Sequence, residues 1–418
     1  MAGAHLIIIG SGIAGLSAAL TAAEAGIHPV ILEQMPIPGG NTLLSHGYFN
    51  ASDARRQYAI GVTDSPEKHL CQALAASGGK ARRDLVKTFC YEAPDTLRWL
   101  EELGVRFEDK VLQVKGSHFP RTHSAVGCGA GIIASLIRAL KRFDIDVLTG
   151  CRVTELIRSK NGRVEGVAFQ RNGSSHRLTS RLGVIAATGG FAANRELKAM
   201  HHPGYRNVSY IGSTGSTGEV LLSAADIGAS CIGMPYFETE LKSDISALVL
   251  SDPTKFILLN EKNERFVRED LVPAELADAI VHLAGNNAKI ICGSKRCEDE
   301  SDPCPEEVLT AIRAYNRLCE HGFDADFRKS PMLLKPIRIP CVQFPIETVV
   351  TISLGGLEIN EHAEVIDRGG NVIPGFTAAG DVTGGIHGER SLRGDTLASA
   401  ASFGRIAAKT LIKRMRNA

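Results

Sequence analysis

Neither sign of charge is in excess in this chain: 47 Lys and Arg stand against 46 Asp and Glu. Its composition therefore carries no basic footprint for nucleic acid or for an anionic membrane surface. The ten cysteines form no CxxC or CxxCH pair, so neither an iron-sulfur ligand set nor an attached haem can be read from them, and no metal site is expected. They read as buried, reduced thiols of a cytoplasmic protein. No Lys or Arg precedes the apolar stretch 6–23, and Gly10, Gly12 and Gly15 interrupt it, so neither a signal peptide nor a membrane span is expected. The 43 glycines follow no three-residue period, which excludes a collagen-like chain. They cluster beside apolar runs instead, as backbone does where it must approach a ligand closely.

The first such cluster has a recognisable context. Residues 5–9 form a short β-branched run, followed by Gly10-Ser11-Gly12-Ile13-Ala14-Gly15 and an Ala/Leu-rich helical stretch to about residue 25. Gly26 and Pro29 end that helix, and residues 30–33 read as a second strand closing on Glu33. This order makes a β-α-β nucleotide-binding unit. Gly10 permits the tight turn, Gly12 lets the backbone approach a pyrophosphate, and Gly15 lets helix and strand pack. The helix N-terminus supplies N–H groups to the phosphates, and Glu33 suits a ribose diol.

Further along, residues 82–103 read as two helical segments separated by Pro94, and 132–140 as a short amphipathic helix. Residues 153–169 carry the strand, Asn161-Gly162 turn, strand signature of a hairpin. The run 183–191 reads as a buried strand entering a Gly turn. From about residue 231 to 345 the character changes, with an acidic loop at 297–307, helices at 273–284 and 305–320, and a Pro-punctuated run at 331–345. Glu298, Asp299, Glu300 and Asp302 of that loop read as a solvated charge run. Gly-rich strand-turn patterns return after residue 349, and 398–415 reads as an Ala-rich helix. The expected architecture is α/β: a discontinuous Rossmann-like domain at 1–231 and 346–418, with an inserted α+β capping domain for substrate at 232–345.

Several ordered motifs resemble the flavoprotein family of soluble fumarate reductases and 3-ketosteroid dehydrogenases. They are the Gly turn with Glu33, Gly39-Gly40-Asn41-Thr42 with Gly47, and Ala187-Thr188-Gly189-Gly190-Phe191 with Asn194. Asn263-Glu264-Arg265-Phe266, Leu354-Gly355-Gly356-Leu357, residues 372–385 and Phe403-Gly404-Arg405 complete the set. The resemblance implies FAD. It assigns the pyrophosphate to Gly10, Gly12 and Gly15 and the adenosine ribose to Glu33, with Ile13, Ala14 and Gln34 as neighbouring cofactor-binding residues. Asn41 and Thr42 fall along the isoalloxazine side and Thr188 and Gly189 near the adenine half, with Gly40, Gly47, Val153, Ala187 and Asn194 as further cofactor-binding residues. Gly380 and Asp381 take the ribityl chain, with Thr396 and Leu397 completing the site. Asn41 stands where the membrane-bound relatives carry a covalently bonded His, so non-covalent FAD is expected.

The family's dicarboxylate-binding positions match poorly. Pro235 stands at the first His position, Pro273 at the proton donor eight residues after Arg265, Ile352 at the His before the Gly-Gly turn, and Ser391 at the final Arg. Pro273 also removes the Tyr that the ketosteroid branch places there. The resemblance therefore implies dehydrogenation or reduction of a C–C bond beside a carbonyl or carboxylate, with a small-molecule substrate less polar than fumarate. Tyr236, His387, Arg390 and Arg393 are the catalytic candidates: a phenol activated by an adjacent cation, an imidazole, and two guanidiniums for a carbonyl or carboxylate oxygen. Arg121-Thr122-His123 and the glycines after it could present N–H groups to an anion. Arg268 and Glu269 read as hinge or cap contacts. No second GxGxxG provides a dedicated NAD(P)H domain, so an unidentified electron donor or acceptor is implied. The alternatives are an oxidase resembling L-aspartate oxidase, or an FAD-holding electron-transfer or scaffold subunit with a degenerate substrate site.

Overall fold

The computed structural model describes residues 4–114, 116–245, 247–293 and 304–416. The acidic residues at 298–302 lie outside them.

Strand β1 (Leu6–Ile9) is buried on both faces, which is why four apolar residues run without alternation. It pairs in parallel with β2 (Pro29–Leu32) on one side and with Val184–Ala186 on the other. Val147–Leu148 extends the sheet beyond β2; Val372–Ala378 and the antiparallel Glu364–Ile366 extend it beyond Val184–Ala186. Helix α1 (Ile13–Glu24), the crossover between β1 and β2, is rich in Ala, Gly and Leu. Small residues let it lie close to the C-terminal helix Asp395–Arg416: a Cβ on Gly404 would stand 2.2 Å from the Ala14 carbonyl oxygen. Two smaller antiparallel sheets accompany this core, one from Tyr48–Asn50, Thr122–Ala125 and Phe107–Leu112, the other from Arg152–Arg158, Val164–Arg171 and Ser174–Thr179.

Pro94 does not divide a helix. Arg83–Glu102 is continuous through it. An interior proline costs about 3 kcal/mol, but this helix buries Leu85, Val86, Phe89, Cys90, Ala93, Leu97, Trp99 and Leu100 along one face, and burying several such side chains outweighs one lost hydrogen bond.

The chain divides into two compact units. The first is Met1–His201, Gly212–Glu238 and Ile352–Ala418; the second is His202–Ile211 and Thr239–Thr351. The boundaries thus fall six or seven residues later than the composition change suggested, and residues 202–211 join the second unit. They do so because Ser209–Tyr210 pairs with Val349 and Val350 of the long strand Cys341–Ser353, a contact no local pattern announces.

In the second unit, that strand, Asn287–Gly293 and Phe256–Leu259 form a sheet with a core on each face. Phe256 and Leu258 pack with Leu276 and Ile280, while Ile257 and Leu259 pack with Val308, Ile312 and Tyr315. The two-residue period of the strand sends alternate side chains to opposite faces. Two corrections arise here. Cys304 and Cys341 are joined as a disulfide, where reduced thiols were expected. Glu269 is fully buried and bonded to Arg265 and Lys329, with Asp324 completing the cluster, while Arg268 pairs with Asp270. Glu269 is therefore a core group of this unit.

Candidate functional site

The turn after β1 separates glycines that the protein's own packing demands from one that it does not. Gly10 has φ +101°, and a Cβ there would stand 2.1 Å from the Ala187 carbonyl oxygen. A Cβ on Gly15 would stand 2.0 Å from the Gly10 carbonyl oxygen. Gly12 is different: its φ of −68° and ψ of −179° suit any residue, and the nearest atoms to a Cβ would be Thr42 Oγ1 at 3.6 Å and Gly39 O at 3.8 Å. Neither strain nor crowding requires glycine at this place. The space beside Gly12 leaves room for a phosphate group at the start of α1, so the turn fits a dinucleotide.

Several residues around the turn hold one another. Thr42 Oγ1 accepts the Ile13 amide at 3.1 Å. Glu33, at the end of β2, accepts the Ser11 amide at 2.9 Å and the Ser11 hydroxyl at 2.6 Å on one oxygen, and the Met35 amide at 2.8 Å on the other. It braces the Gly turn through Ser11. The Gln34 side chain donates to the Gly215 carbonyl. Asn41 accepts the Ser213 amide at 2.8 Å and donates to Asp381 at 3.3 Å. Ala14 lies against Gly380, whose Cβ would stand 3.1 Å from the Ala14 Cβ and 3.8 Å from that of Ala400. The start of α1 and the second turn of the C-terminal helix, which begins Asp395-Thr396-Leu397, thus both reach Gly380.

Other cofactor candidates have partners of their own. Gly40 has φ +49° with nothing within 4 Å of a Cβ, whereas a Cβ on Gly47 would stand 2.6 Å from the Cys128 backbone. Val153 is buried in its hairpin opposite Phe169, two residues beyond the Cys151 amide that donates to the Glu33 carbonyl. The Ala187 amide donates to the Ile9 carbonyl, and the Thr188 hydroxyl to that of Gly189. Asn194 accepts the Leu197 amide at the head of Arg195–His201 and donates to the Thr217 carbonyl at 3.0 Å.

A cavity with room for about one water molecule is lined by Asp381, His387, Ser399, Ile352, Leu354 and Ile386 among others. Burial pushes the Asp381 carboxyl up to about 6 against the opposing Asn41 hydrogen bond. Burial also pushes His387 down to about 4, partly opposed by Asp395, so its imidazole is neutral at pH 7. Its Nε2 faces Ser399 Oγ at 3.1 Å. Both side chains keep some open surface although protein surrounds them, as expected of groups that line a cavity.

The remaining catalytic candidates are less gathered. Tyr236 is half-buried, with its ring beside Gly233. Its hydroxyl makes no hydrogen bond to another described residue. Arg393 is exposed and lies over the Tyr48 ring at 5.5 Å, and Arg390 is half-buried. Arg121-Thr122-His123 is not an open anion site. Arg121 is fully buried and paired with Asp64 at 2.9 Å, Thr122 donates to Asn50, and His123 faces the Ala51 carbonyl, with burial pushing it down to about 4.

Sequence reasoning missed the group that holds the last Gly-rich loop. The Asn50 amide donates to the Gly394 carbonyl at 3.1 Å, and its side chain donates to the Arg393 carbonyl at 3.1 Å and to Asp395 at 2.7 Å. Asp395 also accepts from His69 at 2.8 Å. In the same loop, the Ser391 amide and hydroxyl both donate to Glu238, at 3.2 and 2.8 Å. Asp395 after Gly394 carries a helix-start signal, but His69 lies 326 residues away, and no local pattern links them.

Among the described residues no helix is long and apolar enough to cross a membrane, and no cluster of His, Cys, Asp or Glu could hold a metal ion. A sequence profile of the family described as FAD binding domain matches residues 5–397. The probable fumarate reductase Ifc3 of Shewanella frigidimarina (strain NCIMB 400) is 27% identical over 442 aligned residues, covering 98% of this chain and 75% of that protein. The solved open conformation of a flavocytochrome c3 fumarate reductase matches with a TM-score of 0.87 at 26% identity, over 98% of this chain and 78% of that one. The 3-ketosteroid-delta4-(5alpha)-dehydrogenase of Rhodococcus jostii RHA1 shares the fold at 23% identity, with a TM-score of 0.80 over 98% of this chain and 96% of that one. With a family match that spans nearly all of its length, this chain belongs to the FAD binding domain family, as a flavoprotein oxidoreductase with fumarate reductase-like homologues.

Proposed function

We propose that the chain holds FAD without a covalent bond and dehydrogenates or reduces a C–C bond next to a carbonyl or carboxylate, on a small molecule that is not fumarate. FAD supplies hydride exchange with such a carbon. Gly12 and the start of α1 receive the pyrophosphate, Glu33 the ribose edge, and Asn41 and Asp381 the flavin half. Non-covalent binding is supported by Asn41, a side-chain amide with no nucleophilic nitrogen, already bonded to Ser213 and Asp381.

The observation that carries the substrate reading is the Ser391–Glu238 contact. Dicarboxylate reducers place a guanidinium at this loop position. Here both Ser391 donors are taken by a carboxylate of the protein itself, so this position offers nothing to a substrate carboxylate. Pro235 and Ile352 supply no cation either. Neutral His387, held by Ser399 beside Asp381, orients by hydrogen bonding, and Tyr236 is the phenol available to carry a proton. Arg390 and Arg393 are the cations assigned to a single carbonyl or carboxylate oxygen.

The test is anaerobic. The purified yellow protein is mixed with saturated and unsaturated ketones and acids while flavin absorbance is followed. Bleaching by a saturated compound, or reoxidation of pre-reduced flavin by an unsaturated one, is expected. Reoxidation by fumarate faster than by every enone and monocarboxylate tested contradicts the substrate reading. Peroxide from an amino acid would instead identify an oxidase, and silence toward every compound with FAD bound would identify a scaffold subunit.

A further inference from the structure

Asp395 is 1% exposed and is the first residue of the C-terminal helix. One of its oxygens accepts both the His69 Nε2 contact at 2.8 Å and the Asn50 amide at 2.7 Å. Its other surroundings are equally buried. His69 lies edge-on to Phe89 at 5.5 Å, on whose ring His387 also packs at 6.2 Å. The Cys90 thiol is pushed up by burial and then by Asp395. Arg121 is ion-paired with Asp64, both fully buried, and its charge also acts on Asp395 from beyond ion-pair contact. Among the described residues, then, no Lys or Arg is in ion-pair contact with Asp395; its partners are an imidazole and an amide. Burying a carboxylate on such terms is expensive. A neutral Asn could accept the same amide and imidazole donors, so hydrogen bonding alone does not account for the charge.

Its position gives the charge a use. Ser399, one helical turn further on, lines the cavity shared with Asp381, and Ala400 lies beside Gly380, as does Ala14 at the start of α1. We propose that the Asp395 carboxylate, fixed by His69 and Asn50 at the head of the C-terminal helix, lowers the midpoint potential of the flavin and so biases the enzyme toward reducing its substrate. The inference rests on the FAD reading above. Two-electron reduction adds negative charge to the flavin, and a fixed anion at the helix head opposes that charge and offsets the positive end of the helix dipole.

The experiment is anaerobic potentiometry of the FAD-loaded protein with a reference dye, together with the FAD-to-protein ratio. D395N keeps the shape and the hydrogen bonds and removes the charge. At a fixed potential its ratio of reduced to oxidised flavin should rise about tenfold, equal to about 30 mV for a two-electron couple. D395E keeps the charge in an altered fit and should stay near the wild-type value. D395N with full FAD and an unchanged potential overturns the proposal. So does D395E rising as far as D395N, because packing would then be the cause. Should D395N fail to fold, H69Q decides: with the carboxylate kept, its potential should lie at or below that of the wild type, and a rise overturns the proposal. Wild-type protein that takes up no FAD would refute the cofactor reading itself, an outcome separate from any of these.

Discussion

Two buried charge clusters among the described residues differ in a way that separates folding from function. In the second unit, Arg265 and Lys329 face Glu269 and Asp324, two cations against two anions, and Tyr315 and Phe327 cover the guanidinium. Burial opposes the Arg265 charge, but Glu269 and Asp324 hold it well above the usual range. The cluster closes on itself. In the first unit, Asp395 meets only His69 and Asn50, while Nδ1 of His69, two nitrogens of Arg121 and the side-chain oxygens of Gln57 and Gln72 are buried without a protein partner. Polar groups that satisfy one another build a core. Polar groups left unsatisfied beside a cofactor-binding fold call for water or for a role in the chemistry.

The largest expected effect comes from breaking the closed cluster. Arg265→Ala leaves buried Asp324 without a cation and Glu269 with Lys329 alone, and should cost about 3–5 kcal/mol, measured by denaturant unfolding. Interactions with Arg265 and backbone amides outweigh burial and hold Asp324 below its ordinary value of 3.8. Its contribution is therefore present above that value and lost as pH falls through the lower folded value, so wild type and variant should converge in strong acid. A smaller difference in stability between them at pH 7 than in acid would contradict the cluster's role.

Next comes the contrast between glycines. Gly12→Ala should fold normally and bind FAD at least about tenfold more weakly, because its methyl group meets no protein atom closer than 3.6 Å. Gly10→Ala should instead lower thermal stability even without FAD, since its methyl group would stand 2.1 Å from a carbonyl oxygen. Equal FAD affinity in Gly12→Ala and wild type, by fluorescence titration, would remove the argument from Gly12.

Tyr236→Phe should lower turnover about tenfold or more with FAD content unchanged, the range of a lost proton carrier; unchanged turnover removes Tyr236 from the mechanism. The smallest effect belongs to Asp381. Its carboxyl is raised to about 6, so the folded apoprotein holds a proton that the unfolded chain has released between about pH 4 and 6, and stability falls as pH rises through that window. Asp381→Asn should raise the apoprotein Tm at pH 8 and leave it unchanged below pH 4. An equal shift at both pH values would mean that packing, not ionisation, is responsible.

Much of the cofactor half was legible because its signals are local. Gly10, Gly12, Gly15 and Glu33 fall within one β-α-β unit, and their spacing follows from the geometry of a strand, a turn and a helix. The hairpin at Arg152–Arg158 and Val164–Arg171 announced itself by Asn161-Gly162. Pro94 misled because a propensity penalty of one residue is small beside a buried helical face. The Arg121 segment misled because its glycines are explained by packing: a Cβ on Gly129 would stand 1.7 Å from the Thr42 carbonyl oxygen.

What the amino-acid order determined by itself was the class of fold and the kind of ligand, since periodicity and glycine spacing act over a few residues. Which carboxylates face a cation and which do not, that Cys304 meets Cys341, that residues 202–211 leave the first unit, and that Asp395 stands between His69 and Asn50 were decided only by the tertiary structure. These contacts join positions from tens to hundreds of residues apart, and burial sets their energies, a quantity that exists only once the chain has packed.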